Sequence, residues 1–342
     1  MIKRLFWCLI VLTLLSGPAG GEIVTNSPAT SLLFGESDLV CKCTVSSLSM
    51  TGQQTVESER GFSFVRETWR AMLRAEDLYK GTAVSPIALE YSSDNAGMSR
   101  GPSEPSVKTG EAYLLFLKAT PAGTYKFSDW SFAAQPFASL PVRGGEPGQA
   151  KLESALVAVA LQQNPDEALK AFSYLENLDV IRPESLVALR AVSTSSNWKL
   201  VWSYLTLQLK TKTPESVAAV RRFVDSYTGT EEPWFVGLQE IKDPSAHDDL
   251  VALSYSRFGN IRAAAMVALR SMRGQKDADF FVRRLDDPDL NVRYHAVFGL
   301  AQAFNMSGDY GPGIGAFERN PDYYTNLWKE WWKKRETTSD TK

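Results

Sequence analysis

The chain repeats parts of its own sequence at a constant spacing, and this repetition restricts the fold more than any other feature. Residues 183–190 recur with few changes as residues 214–221, and residues 260–265 recur as residues 291–296, in both cases 31 positions later. That spacing is about the length of one helical hairpin. A constant period of this kind is typical of an α-solenoid, in which each hairpin buries its apolar face against its neighbours.

The apolar residues that follow Lys151 also have the period of an α-helix. Leu152, Ala155, Leu156 and Val159 fall on one helical face. Short breaks with proline separate the later segments, and proline suits the first turn of a helix because its missing N–H would be unpaired there. These breaks are Asn164-Pro165, Arg182-Pro183, Thr213-Pro214, Glu232-Pro233, Asp243-Pro244 and Asp287-Pro288. The pattern predicts an α-solenoid over residues 151–335.

The front half of the chain has the short apolar alternations of β-strands instead. Strand patterns occupy residues 38–45, 62–78, 87–91 and 111–117, and residues 92–109 have the Ser, Gly and Pro content of a surface loop. Many short strands with turn signals indicate a closed barrel or a sandwich. We therefore predict a multi-domain α and β protein.

A linker separates the two predicted domains. Residues 141–150 are rich in Gly and Pro and precede the abrupt change from strand to helix period. We place the β domain at residues 31–140 and the helical domain at residues 151–335, with the linker between them.

One segment before the last strongly apolar helix has an Asp-x-x-x-Arg pattern, formed by Asp289 and Arg293 and followed by Ala296 and Leu300. With these residues, the region 245–304 resembles HEAT repeats of the short, phycobilisome-lyase-like kind. The resemblance implies stacked HEAT-like hairpins with an extended binding surface. The earlier region, residues 152–242, is assigned to the same solenoid by its helical period and position.

Three short segments of the front half, residues 37–40, 74–81 and 110–117, occur in the order of a netrin-like OB barrel. The resemblance covers about 100 residues and implies an OB-like β-barrel over residues 31–140. Tissue inhibitors of metalloproteinases carry this module. Their mature chain begins with Cys-x-Cys, and the amino group and carbonyl of the first cysteine hold the zinc ion of the protease.

Cys41-Lys42-Cys43 matches that motif in residue types but not in position. Residues 22–40 lie between the predicted cleavage point and Cys41, so the nitrogen of Cys41 belongs to a peptide bond. We therefore expect no protease inhibition by zinc chelation. Residues i and i+2 of a strand share a face, but a disulfide has tight distance limits. Two separate buried thiols, a disulfide between them, and a metal or intermolecular role all stay open.

The N-terminus has the three parts of a secretory signal peptide. Lys3 and Arg4 precede an apolar run at residues 5–15, and small residues with a helix-breaking Pro18 follow it. The run is too short to span a bilayer, which takes about 20 residues. We predict a signal peptide at residues 1–21, an exported protein in the periplasm or outside the cell, and no membrane span in the mature chain.

The composition and motifs point away from several functional classes. The formal net charge of -2 does not suit binding to nucleic acid. The chain contains no zinc-protease, nucleophile-elbow, phosphate-loop or dinucleotide motif, and its two histidines, His247 and His295, fall on predicted helices. We predict no catalytic, cofactor-binding or metal residues, no cofactor, and no enzyme activity.

Several polar residues of the solenoid have structural interpretations. Asp286, Asp287 and Asp289 lack the ligand spacing of an EF-hand, and Asp289 stands where a helix N-cap belongs. Arg262 and Arg293 occupy equivalent repeat positions, which predicts a ladder of cross-repeat pairs, with a binding row of cations as the alternative.

Near the C-terminus, residues 305–320 contain four glycines and are predicted to form a long loop. Tyr324, Leu327, Trp328 and Trp331 then form an aromatic stripe that we expect to cap the last helix pair, with a ligand cage as the alternative.

These patterns predict an exported, non-catalytic scaffold or adaptor that binds an unknown protein or peptide partner on the solenoid surface. The alternative is an extracellular regulator that acts through the netrin-like barrel without chelating zinc. HEAT-type folds serve unrelated roles, so the fold alone does not select between them.

Overall fold

The computed structural model describes residues 30–57, 63–83, 85–94, 106–128, 134–145, 147–272, 278–306 and 308–339. The predicted signal peptide lies outside these residues, as do residues 95–105 of the predicted loop. The chain forms two compact units, one comprising residues 26–207 and the other including residues 208–342. In the part of the chain that is described, no helix is both long and apolar enough to cross a membrane.

The first unit begins with a short helix and six β-strands. They are α1 (Thr30–Glu36), β1 (Leu39–Glu57), β2 (Ser63–Lys80), β3 (Ile87–Asp94), β4 (Ala112–Ala119), β5 (Tyr125–Phe127) and β6 (Ala134–Pro136). Neighbouring strands follow the order β1-β2-β3-β5-β4, and β4 pairs back onto β1, so five strands form a ring. The pairs are antiparallel except β3–β5, and β6 pairs with β4 outside the ring. This near-closed ring confirms the predicted OB-like barrel.

The interior of the ring is built from alternate residues of its strands. Leu39, Cys41, Cys43 and Val45 of β1 are all buried in one apolar cluster. Cys41 lies opposite Leu115 of β4, and the same alternation puts every second residue of β4 into the core. Side chains at i and i+2 share a face, so the alternation visible in the sequence becomes the inner wall of the barrel.

Helices complete the first unit and form most of the second. They are α2 (Gln149–Ala160), α3 (Pro165–Glu176), α4 (Pro183–Leu189), α5 (Trp198–Leu209), α6 (Pro214–Ser226), α7 (His247–Leu253), α8 (Gly259–Ser271), α9 (Ala278–Arg283), α10 (Leu290–Ala303), α11 (Ile314–Arg319) and α12 (Pro321–Ser339). Three of the predicted breaks place proline at the start of a helix, where Asn164 and Thr213 also cap α3 and α6. Successive helices pack in pairs, as the repeat predicts.

The first helical pair packs directly on the barrel. The ring of Tyr174 in α3 stacks on Phe116 of β4, with ring centres 6.0 Å apart, and contacts Phe137 at the same distance. Lys151 of α2 forms an ion pair with the buried Asp77 of β2, which also accepts the N–H of Arg143. The predicted linker at residues 141–150 therefore lies inside the first unit, and the compact units divide between Leu207 and Gln208. The domain boundary itself stays a prediction.

The second unit consists of hairpins whose helices contact one another and the next pair. The pairs α7–α8, α9–α10 and α11–α12 follow one another along the chain. Gly299 of α10 allows a close approach to α9, because an added Cβ would lie 2.8 Å from the ring of Phe281. The predicted long loop at residues 305–320 is only partly a loop. It contains α11, because Phe317 is buried and fixes this short helix against its neighbours despite the surrounding glycines.

Candidate binding surface on the interhelical turns

Four connections in the second unit are linked to neighbouring segments by side-chain contacts. We call them the turn ridge, and they comprise residues 227–235, 254–258, 284–289 and 320–323, the last of which includes the start of α12. The first two are joined by Arg257, whose guanidinium donates to the carbonyl oxygens of Tyr227 at 2.8 Å and Gly229 at 2.7 Å. The side-chain amide of Asn260 adds a bond to the carbonyl of Pro233 at 2.8 Å.

The second and third connections are joined by Arg262 and Arg284. Arg262 donates to the backbone carbonyls of Ser256 and Arg257 and makes a two-point bond with the buried carboxylate of Asp287, at 2.9 and 2.7 Å. The guanidinium of Arg284 lies 3.6 Å from the centre of the Tyr255 ring. The two arginines therefore hold these two turns in register by hydrogen bonds and by a cation–π contact.

The third and fourth connections are each linked to a neighbouring helix by a more exposed ion pair. Arg293 donates to the carboxylate of Asp322 at 2.9 Å. Lys329 of α12 pairs with Asp286. Since Arg262 and Arg293 stand at equivalent repeat positions, the predicted ladder of cross-repeat pairs is confirmed, with its first rung buried and its second at the surface.

The turn ridge also carries the exposed aromatic side chains of the second unit. Trp234 is 38% exposed, Tyr255 is 54% exposed and Tyr323 is 46% exposed. Among the described residues from 208 to 339, these are the large hydrophobic side chains that are exposed. Each belongs to a different connection. Because aromatic residues and arginine are enriched at protein interfaces, this edge of the unit has the composition of a binding surface.

Sequence reasoning overlooked these three aromatic residues. Trp234, Tyr255 and Tyr323 do not belong to the repeated segments, and they are scattered over 90 positions. Their position was nevertheless a signal in the sequence. Each of the three residues stands between helices or at the start of one, where hairpin packing does not need an apolar side chain.

The three predicted acidic residues have separate structural roles. Asp289 caps α10 by accepting the N–H groups of Asn291 and Val292, which confirms the predicted N-cap. Asp287 is buried with Arg262, and Asp286 pairs with Lys329. Within the described ranges, no group of three or more His, Cys, Asp or Glu side chains is arranged to hold a metal ion.

The two histidines lie on helices of the second unit, as predicted, and the structure does not bring them into one cluster. His247 begins α7, and its Nδ1 lies 3.2 Å from the carboxylate of the neighbouring Asp248. His295 lies in α10 beside Arg270 and Tyr294. Desolvation by its surroundings, aided by the positive charge of Arg270, lowers the pKa of His295 to about 3.

The cysteines of the front unit form a disulfide between Cys41 and Cys43, with their α-carbons 5.9 Å apart. The first alternative drawn from the sequence, two separate thiols, is therefore not what the structure shows. The pairing of β1 with β2 shifts register just before Cys41 and again just before Cys43, so this part of β1 departs from a regular strand. Both sulfur atoms lie in the core of the ring, away from solvent.

The aromatic stripe of α12 packs against the last hairpin, as predicted. Trp328 is fully buried, and its indole N–H donates to the carbonyl of Tyr310 at 2.8 Å. Phe304 of α10 contacts Trp331 with ring centres 4.8 Å apart, and Arg335 lies 4.4 Å from the centre of the Phe304 ring. These contacts make the stripe a cap on the preceding helices.

No protein-family model matches the sequence, and no curated protein matches it significantly.

Proposed function

We propose that this protein is an exported, non-catalytic adaptor that binds a protein or peptide through the turn ridge of its helical unit. The observation that carries the proposal is the exposure of Trp234, Tyr255 and Tyr323 on three segments of the turn ridge, of which the first two are joined by Arg257. The likeness of residues 245–304 to HEAT repeats supports the same function, because such solenoids offer extended binding surfaces. Export follows from the signal-peptide pattern at residues 1–21.

The chemistry of the ridge indicates what kind of partner it fits. The exposed guanidinium of Arg257 lies 4.5 Å from the centre of the Phe258 ring, and its backbone bonds hold it in place. A held arginine beside aromatic side chains suits a segment that presents apolar and aromatic residues. We therefore expect a partly apolar segment of an exported protein.

An extracellular regulator that acts through a netrin-like barrel is the second candidate. The five-stranded ring supports it, since the OB-fold is a five-stranded, partly open barrel. Zinc chelation by the cysteine motif has no support, because Cys41 is buried and its strand is paired on both sides, with β2 and with β4. A barrel partner would have to use the outer surface, for which Lys126 on β5 is an exposed marker.

Site-specific photocrosslinking tests the two candidates in cells that export the protein. A benzophenone amino acid replaces Tyr255 on the ridge, Lys126 on the barrel, or Val187 on α4, which is 73% exposed and serves as the matched control. We expect a discrete covalent adduct from position 255 and none from position 187. The adduct should weaken when Trp234→Ala and Tyr323→Ala are added, because they remove the flanking aromatic contacts.

The other outcomes decide against the proposal. An adduct formed only from position 126 would favour the barrel regulator. Equal labelling from positions 255 and 187, or an adduct that the two alanine substitutions leave unchanged, would show that the ridge is not the binding surface.

A further inference from the structure

Among the described residues, the long hairpin of β1 and β2 leaves one edge of the barrel sheet without a neighbouring strand. β4 pairs with β1 from Leu39 to Thr44, and the last bonds on this side join Val45 to Gly110 and Glu111. From Ser46 to Glu57, β1 pairs with β2 alone in the described part of the chain. Twelve residues of strand, about 40 Å long, thus present unpaired backbone groups on one side.

The side chains of this segment do not fill that edge. The hydroxyl groups of Ser46, Ser49 and Thr51 donate to backbone carbonyls of β2, at 2.8, 3.4 and 3.2 Å, so they turn toward the inside of the hairpin. Most of the other side chains of this segment are exposed, among them Met50 at 46%. The outer backbone groups are therefore accessible for pairing.

The composition of this edge differs from that of a protected edge. Exposed edge strands are normally blocked by lysine, proline, bulges or short length. Residues 46–56 contain no charged residue and no proline, and they are rich in Ser, Thr and Gln. Two bulges do interrupt the strand, after Val45 and after Met50, but the pairing with β2 is regular from Gly52 to Glu57. The regular part is the part best suited to accept another strand.

We propose that the 52–57 edge of β1 pairs antiparallel with the same edge of a second copy of this chain. An antiparallel pairing of a strand with itself has twofold symmetry, which is the commonest symmetry of homo-oligomers. Residues 46–56 contain no charged residue, so the pairing brings no like charges opposite each other within this segment. Thr and Gln side chains can hydrogen-bond to their counterparts across the two strands. The two hairpins then form one continuous sheet. This inference is independent of the turn ridge.

Sedimentation velocity of the full exported protein, from low to high micromolar concentration, tests the pairing. The edge variant carries Gln53→Lys and Thr55→Lys, both at exposed positions of the regular run. The control carries Val180→Lys and Val187→Lys, which are 71% and 73% exposed and add the same charge to the same unit. We expect a dimer whose dissociation constant rises by at least about tenfold in the edge variant, since lysines on an edge strand block its pairing, and stays unchanged in the control.

Disulfide trapping gives a second measurement that does not depend on the lysine variant folding. Single cysteines are placed in turn at positions 52–57, and the control is Val180→Cys. Oxidation should cross-link two copies at the positions nearest the twofold axis and not at position 180.

A protein that stays monomeric at all concentrations would overturn the proposal, as would a dimer that the edge variant leaves intact. If a synthetic extended peptide protects the amides of residues 52–57 from hydrogen exchange while the protein stays monomeric, the edge takes a foreign strand and the second-copy proposal is wrong.

Discussion

Replacing Asp287 with alanine should destabilise the helical unit far more than the same change at Asp322. Both aspartates pair with an arginine at an equivalent repeat position, but their surroundings differ. The Asp287 side chain is 3% exposed and receives two bonds from Arg262, whereas the Asp322 side chain is 79% exposed. The two sites therefore compare a buried pair with a surface pair in one protein.

The expected magnitudes follow from burial. Removing Asp287 leaves the guanidinium of Arg262 buried without its carboxylate, which costs about 3–5 kcal/mol of unfolding free energy. It also removes the acceptor for the N–H of Asp289, the residue that caps α10. Asp322→Ala breaks an exposed pair that is screened by solvent, so its cost is about 0–1 kcal/mol.

Hydrogen exchange under native conditions measures this difference where it arises. Amides in the middle of α8 and α10 report the opening free energy of the hairpins, and urea denaturation gives the global value. A double variant, Arg262→Met with Asp287→Leu, should recover part of the loss, because it removes Arg262 and Asp287 together but leaves Arg284 without its carboxylate. Equal effects of Asp287→Ala and Asp322→Ala, or a loss below about 1 kcal/mol at Asp287, would refute the reasoning.

Two further predictions concern a single ion pair and a single titratable group. Lys151→Met should lower the free energy of unfolding, measured by urea denaturation, by about 3 kcal/mol, because it leaves Asp77 buried without its cation. Lys170→Met breaks the more exposed pair with Glu167 and should lower it by at most about 1 kcal/mol. Equal losses would contradict this. The pKa of His295 is about 3 in the folded protein, below its value near 6.5 in the unfolded chain. Its contribution to the free energy of unfolding is therefore complete above pH 6.5. That contribution is lost as the pH falls toward 3, at up to about 1.4 kcal/mol per pH unit. Urea denaturation between pH 7 and 4 should show a shallower loss for His295→Gln, and identical slopes would contradict it.

Much of the local structure was determined by the sequence itself. The proline breaks predicted where several helices begin, and Asp289 predicted the cap of α10, because these preferences act within a few residues. The alternation of apolar residues predicted the inward faces of the strands. The 31-residue period predicted paired helices, since a hairpin with one apolar face must pack against its neighbour.

Other features depended on which segments, far apart in the chain, contact each other, and no local sequence pattern predicts such contacts. Tyr174 stacks on Phe116 of the barrel, a contact between residues that are 58 positions apart, and this joins the first helices to the β domain. The disulfide between Cys41 and Cys43 depends on the irregular pairing of β1 with β2. Residues 314–319, expected within a loop, are helical because a buried Phe317 outweighs the nearby glycines.

The turn ridge and the unpaired β1 edge show most clearly the difference between what the sequence determined and what tertiary packing decided. Trp234, Tyr255 and Tyr323 are far apart in the chain, and their exposure at the ends of helices depends on how the hairpins pack. The sequence predicts a strand at residues 38–45, whereas β1 continues to Glu57, and only the end of the β4 pairing at Thr44 exposes that edge. Periodicity acts within one element, whereas a binding surface arises from the packing of several elements, so tertiary structure alone decided both.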